Sequence, residues 1–177
     1  MNSFSFPVTT KLSRIPSGPA GTRRTLEDMR QLVAKGVTDP IVQNEAIRIV
    51  RSAGVRPFQY LAEVRALFEF VRDQIRYTRD PAGVELLRSP RVTLATRAGD
   101  CDDKATLLAA LVRAIGNPTR VAFRAIGTDP LTPGAYGHVY VVARVGGQEI
   151  AMDPTPTGAQ LGWEYPRPVG RPMEVAA

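Results

Sequence analysis

Apolar residues recur at three- and four-residue spacing over Leu61, Val64, Leu67, Phe68, Val71 and Ile75, which predicts an amphipathic helix with one buried stripe. Two shorter helices are predicted before it. Thr25 with Asp28 has the form of a capping box opening a helix from about Leu26 to Lys35, with Gly36 as its stop. Asp39-Pro40 supplies an N-cap and a first-turn proline for the next, which runs through Ile41, Ile47 and Val50 to Gly54. From Tyr77 to Arg97 the periodicity is broken by Pro81, Gly83 and Pro90, and the stretch is expected to be loop with a short strand at Val92 to Ala95.

The pattern sharpens after Asp100. A helix is predicted from Cys101 to Ile115, stopped by Gly116-Asn117-Pro118. Strand-like sequence follows at Thr119 to Ile126, then a loop rich in Pro and Gly. "HVYVVARV", Gly146-Gly147 and "QEIAMD" then have the form of a hairpin. Helices first and antiparallel strands after predict an α+β fold. Residues 1–22 lack periodicity and are expected to be a flexible arm. Residues 23–155 are then the folded domain, and segment 156–177, in a stretch with five prolines after Asp153, an irregular tail.

Composition narrows the picture. The 177 residues, 44% hydrophobic and 23% charged, suit one globular domain with a real core. No uncharged apolar run approaches a membrane span and no apolar leader is visible, so a cytoplasmic protein without a signal peptide is expected. The net charge of +6 rests on 20 Arg against 3 Lys. Those arginines alternate with acids along the helices, as on a solvated face (Arg48, Arg51, Arg65, Arg72, Arg76). No aromatic-studded basic ribbon accompanies them, so nucleic acid is a poor fit as a partner.

The one cysteine, Cys101, cannot form an internal disulfide. On a helix wheel Ala105, Leu108, Val112 and Ile115 fall within about 40° of it, so the thiol shares the direction of the core stripe. That is the behaviour of an ordinary buried cysteine. It also stands in a first helical turn, where free amides favour a thiolate and can hold an oxyanion. Asp100, Asp102 and Asp103 oppose ionisation, so reactivity needs a positive partner.

The only histidine, His138, opens the first strand of the hairpin. If Gly146-Gly147 make a two-residue turn, Tyr140 faces Asp153 and His138 lies diagonally from it, within side-chain reach. A three-residue loop would instead send Asp153 to the other face. Separately, these are a loop-end histidine and the start of an Asp-Pro turn. Together with Cys101 they form a possible set of nucleophile, base and orienter.

The blocks "GDCDDKATLLAALVRAIGNPTRV", "GHVYVVA" and "MDPT" resemble the transglutaminase-like superfamily, and the upstream "VRDQIRYTRDPAGVELLRSPRVTL" is similar to its small phage and prophage members. The resemblance covers roughly residues 60 to 155. It implies a papain-like fold, with the nucleophile helix packed on an antiparallel sheet, and a triad of Cys101, His138 and Asp153. Many relatives carry an aromatic residue directly after the histidine, where this chain has Val139. The Cys101 backbone amide would be one oxyanion donor. The second is not placed by motif, and Tyr77 and Arg97 are the candidates.

No cofactor is expected. An EF-hand reading of Asp100, Asp102 and Asp103 fails because Lys104 and Ala105 stand where a third ligand and a glycine are needed, although some members of the superfamily use calcium. The implied function is cysteine acyl transfer on a peptide or amide bond, of protease or transglutaminase type, with a protein or peptide substrate. The alternative is a papain-like scaffold acting among phage structural proteins with an idle triad.

Overall fold

In the computed structural model, residues 18–81, 86–132 and 134–177 are described. Three helices come first: α1 (Pro19–Val37), α2 (Pro40–Ser52) and α3 (Tyr60–Gln74). Then come β1 (Arg76–Tyr77), α4 (Pro90–Thr96), β2 (Ala98–Gly99) and α5 (Cys101–Ala114). The chain closes with β3 (Arg120–Gly127), β4 (His138–Val145), β5 (Gln148–Met152) and β6 (Val169–Ala176). The last four make an antiparallel sheet in the order β5-β4-β3-β6, and β1 pairs with β2 in parallel. This is the expected α+β architecture.

The centre of the molecule is α5. From Asp103 to Val112 every residue is buried, so this stretch of the helix has no solvated face. Helices α1 to α4 pack around it and one face of the sheet, carrying Phe123, Val139, Val141 and Met152, closes the remaining side. The single stripe expected from the helix wheel was therefore too narrow. A helix enclosed on all sides buries its whole circumference. On the other face of the sheet Ile126, Tyr140, Val142 and Ala151 form a smaller cluster with Tyr165.

Several local expectations change. The first helix begins at Pro19 rather than near Leu26, with Thr25 inside it and no side-chain cap at Gly18. Gly36 does not stop that helix but lies buried within it, where a Cβ would come 2.7 Å from Pro90 Cγ. In α2 the buried positions are Val42, Ala46 and Ile49, leaving Ile41 and Ile47 exposed. The stretch Val92 to Ala95, expected as a strand, belongs to α4, because Ser89 accepts from the Val92 N–H and Pro90 starts the first turn.

The expected flexible arm falls largely on residues 1–17, outside the described residues. Segment 156–177 is not irregular throughout, since β6 pairs with β3. Pro172 is tolerated there because β6 is an edge strand. Nor are all arginines solvated: Arg124 on β3 donates to Glu149 (2.5 Å), Glu164 (2.8 Å) and Glu174 (2.7 Å), tying three segments together. Among the described residues no helix is long and apolar enough to cross a membrane.

Candidate active site

The first turn of α5 is built by its cap. Asp100 adopts an extended backbone and its Oδ1 accepts from the Asp103 N–H at 3.1 Å, which starts the helix at Cys101. Asp103, only 1% exposed, is the second anchor. Its Oδ1 accepts from the Arg88 backbone N–H at 2.7 Å, and the Arg88 guanidinium bonds its Oδ2, so the segment before α4 is tied to α5. Gly99 makes room for this, because a Cβ there would lie 2.5 Å from that of Asp103.

The hairpin then delivers the partner residues. Val145 pairs with Gln148 across Gly146 (φ 57°) and Gly147 (φ 84°), a two-residue turn whose backbone only glycine adopts easily. With that register Val141 opposes Met152, and just beyond the last pair His138 Nε2 lies 2.6 Å from Asp153 Oδ2. Asp153 is 1% exposed, and its Oδ1 also accepts from the Thr155 N–H at 3.0 Å. The His138 ring stacks near Tyr140, 6.1 Å between centroids.

Cys101 and His138 line one cleft of about 340 Å³, which Gly18, Gly21 and Thr22 at the α1 start also line. The Val139 backbone N–H reaches the Cys101 sulfur, which places the start of β4 beside the thiol. Burial pushes the thiol well above its ordinary pKa. Asp102 and Asp100 add to the rise, and the Val139 N–H works against it. The thiol itself lies 3.6 Å from Asp102 Oδ1. The helix start alone therefore does not make a thiolate here, and ionising this thiol would need a base to take its proton.

Tyr77 lies near enough for the charges of Cys101 and Asp100 to act on it; burial first, then those charges, raise its pKa. Arg97 is directed elsewhere. Its φ of 52° closes α4 in the left-handed region, and its guanidinium bonds Glu45 at 3.0 Å and lies 4.9 Å from the Phe70 ring centroid. Among the described residues no group of three His, Cys, Asp or Glu side chains is arranged to hold a metal ion.

Sequence reasoning missed three contributors to this region. One is the wall supplied by α1, whose start was assigned to the arm. The second is the Arg88 tie, which no local pattern announces. The third is Lys104, a buried cation three residues after the thiol. Its helical phase, on the Cys101 side of α5, was the available signal.

A family model described as the transglutaminase-like superfamily matches residues 49–154. Two solved structures share the fold. One is a "putative protease" from Parabacteroides distasonis ATCC 8503, at TM-score 0.57 and 14% identity over 85% of this chain and 32% of the other. The other is a "putative cysteine protease" from Cytophaga hutchinsonii, at TM-score 0.50 and 24% identity over 72% of this chain and 42% of the other. The chain thus spans less than half the length of either. No protein with a curated description matches it.

Proposed function

The chain belongs to the transglutaminase-like superfamily, and from that membership we propose that it is a cysteine acyl-transfer enzyme acting on a peptide or carboxamide carbonyl. The observation that carries this reading is the His138 and Asp153 pair, 2.6 Å apart, set at the cleft that holds the Cys101 thiol. Asp153 occupies Nε2 of the imidazole, which leaves Nδ1 to take the thiol proton. Because the surroundings of Cys101 favour the neutral thiol, the proton moves to His138 as sulfur attacks rather than in advance.

Attack forms a C–S bond and places negative charge on the carbonyl oxygen. The Cys101 backbone amide, in the first turn of α5, is one donor for that charge, and the Tyr77 hydroxyl is the second. The imidazolium then protonates the departing amine as the C–N bond breaks, leaving a thioester. Water resolves it as hydrolysis, and a second amine resolves it as transamidation. The substrate is a protein or peptide, and in a phage setting it would be another structural protein.

A second reading, a scaffold with an idle triad, draws support from the raised thiol and its contact with Asp102. Mass spectrometry separates the two. Wild type and Cys101→Ala are incubated with a mixed pool of peptides and amines. Cleavage or amine exchange that disappears in Cys101→Ala is the expected result. No Cys101-dependent product with either class of acceptor would leave the scaffold as the correct reading.

A further inference from the structure

The turn before α3 carries an unsuitable side chain. Pro57 stands at its second position and Phe58, at φ 68°, at its third, where a positive φ suits glycine or asparagine and strains a bulky residue. The Gln59 N–H closes the turn on the Arg56 carbonyl at 3.3 Å. Glu63, only 8% exposed, braces it, accepting from the Phe58 N–H at 3.1 Å and from Asn117 Nδ2 at 2.7 Å. A strained residue persists where its surroundings over-determine it, and here they do. Glycine would make the same turn without strain, so the fold gives no reason for a phenyl ring. The ring is 80% exposed, with Tyr60 edge-on to it at 6.4 Å between centroids.

Three residues on, at Leu61, begins a groove of about 350 Å³ between α3, β5 and the segment that follows β5. Leu61, Ile150 and Leu161 give it apolar walls, and Arg65, Glu149 and Glu164 give it charges of both signs. Trp163, also exposed, stands between two of the lining residues. Phe58, Tyr60, Leu61 and Trp163 thus gather aromatic and apolar surface at one place, the composition of an interface centre rather than of a solvated face. Among the described residues Arg65 has no ion-pair partner. Glu149 and Glu164 are bound to Arg124, yet keep 41% and 51% of their side chains exposed. The groove shares no lining residue with the cleft of Cys101.

We propose that this face binds a second copy of the same chain across a two-fold axis, each Phe58 ring entering the groove of the other copy. Knob and hole stand side by side on one surface, which a two-fold contact requires, since the same patch must serve both subunits. The charges meet the same condition. The axis brings Arg65 of each copy toward the exposed carboxylates at the groove of the other, so a cation without a partner in the single chain gains one in the pair. A groove that took only a foreign peptide would give no reason for a ring held out beside it. The strain at Phe58 is offset on association, where burial of the ring returns free energy that no contact within the chain supplies. The assignment is independent of the acyl-transfer reading.

Sedimentation equilibrium on the full chain, from about 1 to 100 μM, reads the assembly state. Wild type is expected to reach twice the 19.3 kDa chain mass within that range. Phe58→Gly removes the ring and the strain together, and should raise the dissociation constant by about 100-fold. Compared at a dilution where both proteins are monomers, the variant should unfold at no lower a urea concentration than wild type. Arg65→Glu, a change at an exposed position that sets like charges across the axis, should weaken the pair by about tenfold. A wild type that stays at 19.3 kDa throughout overturns the assignment, whatever else the groove takes. A dimer indifferent to either variant overturns it by placing the contact on another face. A monomer weakened by Phe58→Gly would give the ring a role inside the chain, and overturns it as well.

Discussion

His138 and Asp153 meet, Nε2 to Oδ2 at 2.6 Å, because the turn between their strands is two residues long. The period of a strand is two, so one residue more in the turn would carry Asp153 to the opposite face. The two glycines of the hairpin therefore belong to the site as much as to the fold. Their positive φ values set the register on which the pair depends.

Replacing Asp153 by Asn keeps the shape and removes the charge that, in the proposed mechanism, fixes the ring and supports its protonated form. Cys101-dependent turnover should fall by about 100-fold or more, with little change in substrate KM. Steady-state kinetics on whichever peptide the product screen yields would check this. An unchanged kcat would mean that the carboxylate has no part in the chemistry.

Asp102 acts in the opposite sense. Its Oδ1 lies 3.6 Å from the Cys101 sulfur, and its charge is the largest contribution after burial to the raised pKa of the thiol. Asp102→Asn should therefore lower that pKa and speed alkylation at pH 7 by about tenfold, equivalent to one pH unit. A stopped assay with iodoacetamide measures the rate directly, and a slower thiol would contradict the electrostatic account.

Gly99 tests how tightly the first turn of α5 is held. A methyl group there would meet the Asp103 Cβ at 2.5 Å, on the side chain that anchors Arg88. Gly99→Ala should cost about 1–3 kcal/mol in urea unfolding. It should also slow Cys101 chemistry, because the clash pushes on the turn that carries the thiol.

Lys104 predicts a pH dependence of stability. Its pKa is lowered from 10.5 to about 8 in the folded state, so the unfolded chain binds more protons between these values. The burden is fully present below about pH 8 and fades as pH rises toward 10.5. Relative to Lys104→Met, wild type should therefore gain stability between pH 7 and pH 10, by on the order of 3 kcal/mol at most. Parallel denaturant titrations of the two proteins provide the comparison, and a constant difference across that range would refute it.

The parts of this site that were legible in the sequence are those fixed by local rules. Asp100 followed by Cys101 and an apolar run reads as a cap and a helix start, and that is what forms. Gly146-Gly147 between alternating strands reads as a two-residue turn, and the register follows. What could not be read depends on partners distant in the chain. The enclosure of α5 comes from four other helices, and Arg88 reaches Asp103 across 15 residues. Ser89-Pro90 carries a cap signal comparable to Asp39-Pro40, while the β-branched Val92 and Thr93 favour strand. Tertiary packing decided between two weak propensities there.

The most direct test of the account is the rate of Cys101 alkylation by iodoacetamide at pH 7 in wild type and in His138→Ala. Cys101 is the only thiol, so the readout has a single source. If His138 takes the proton from Cys101, wild type should react about 100-fold faster or more, and the advantage should vanish in the variant. Equal rates in the two proteins would show that the thiol and the imidazole share a cleft without sharing a proton, which contradicts the account.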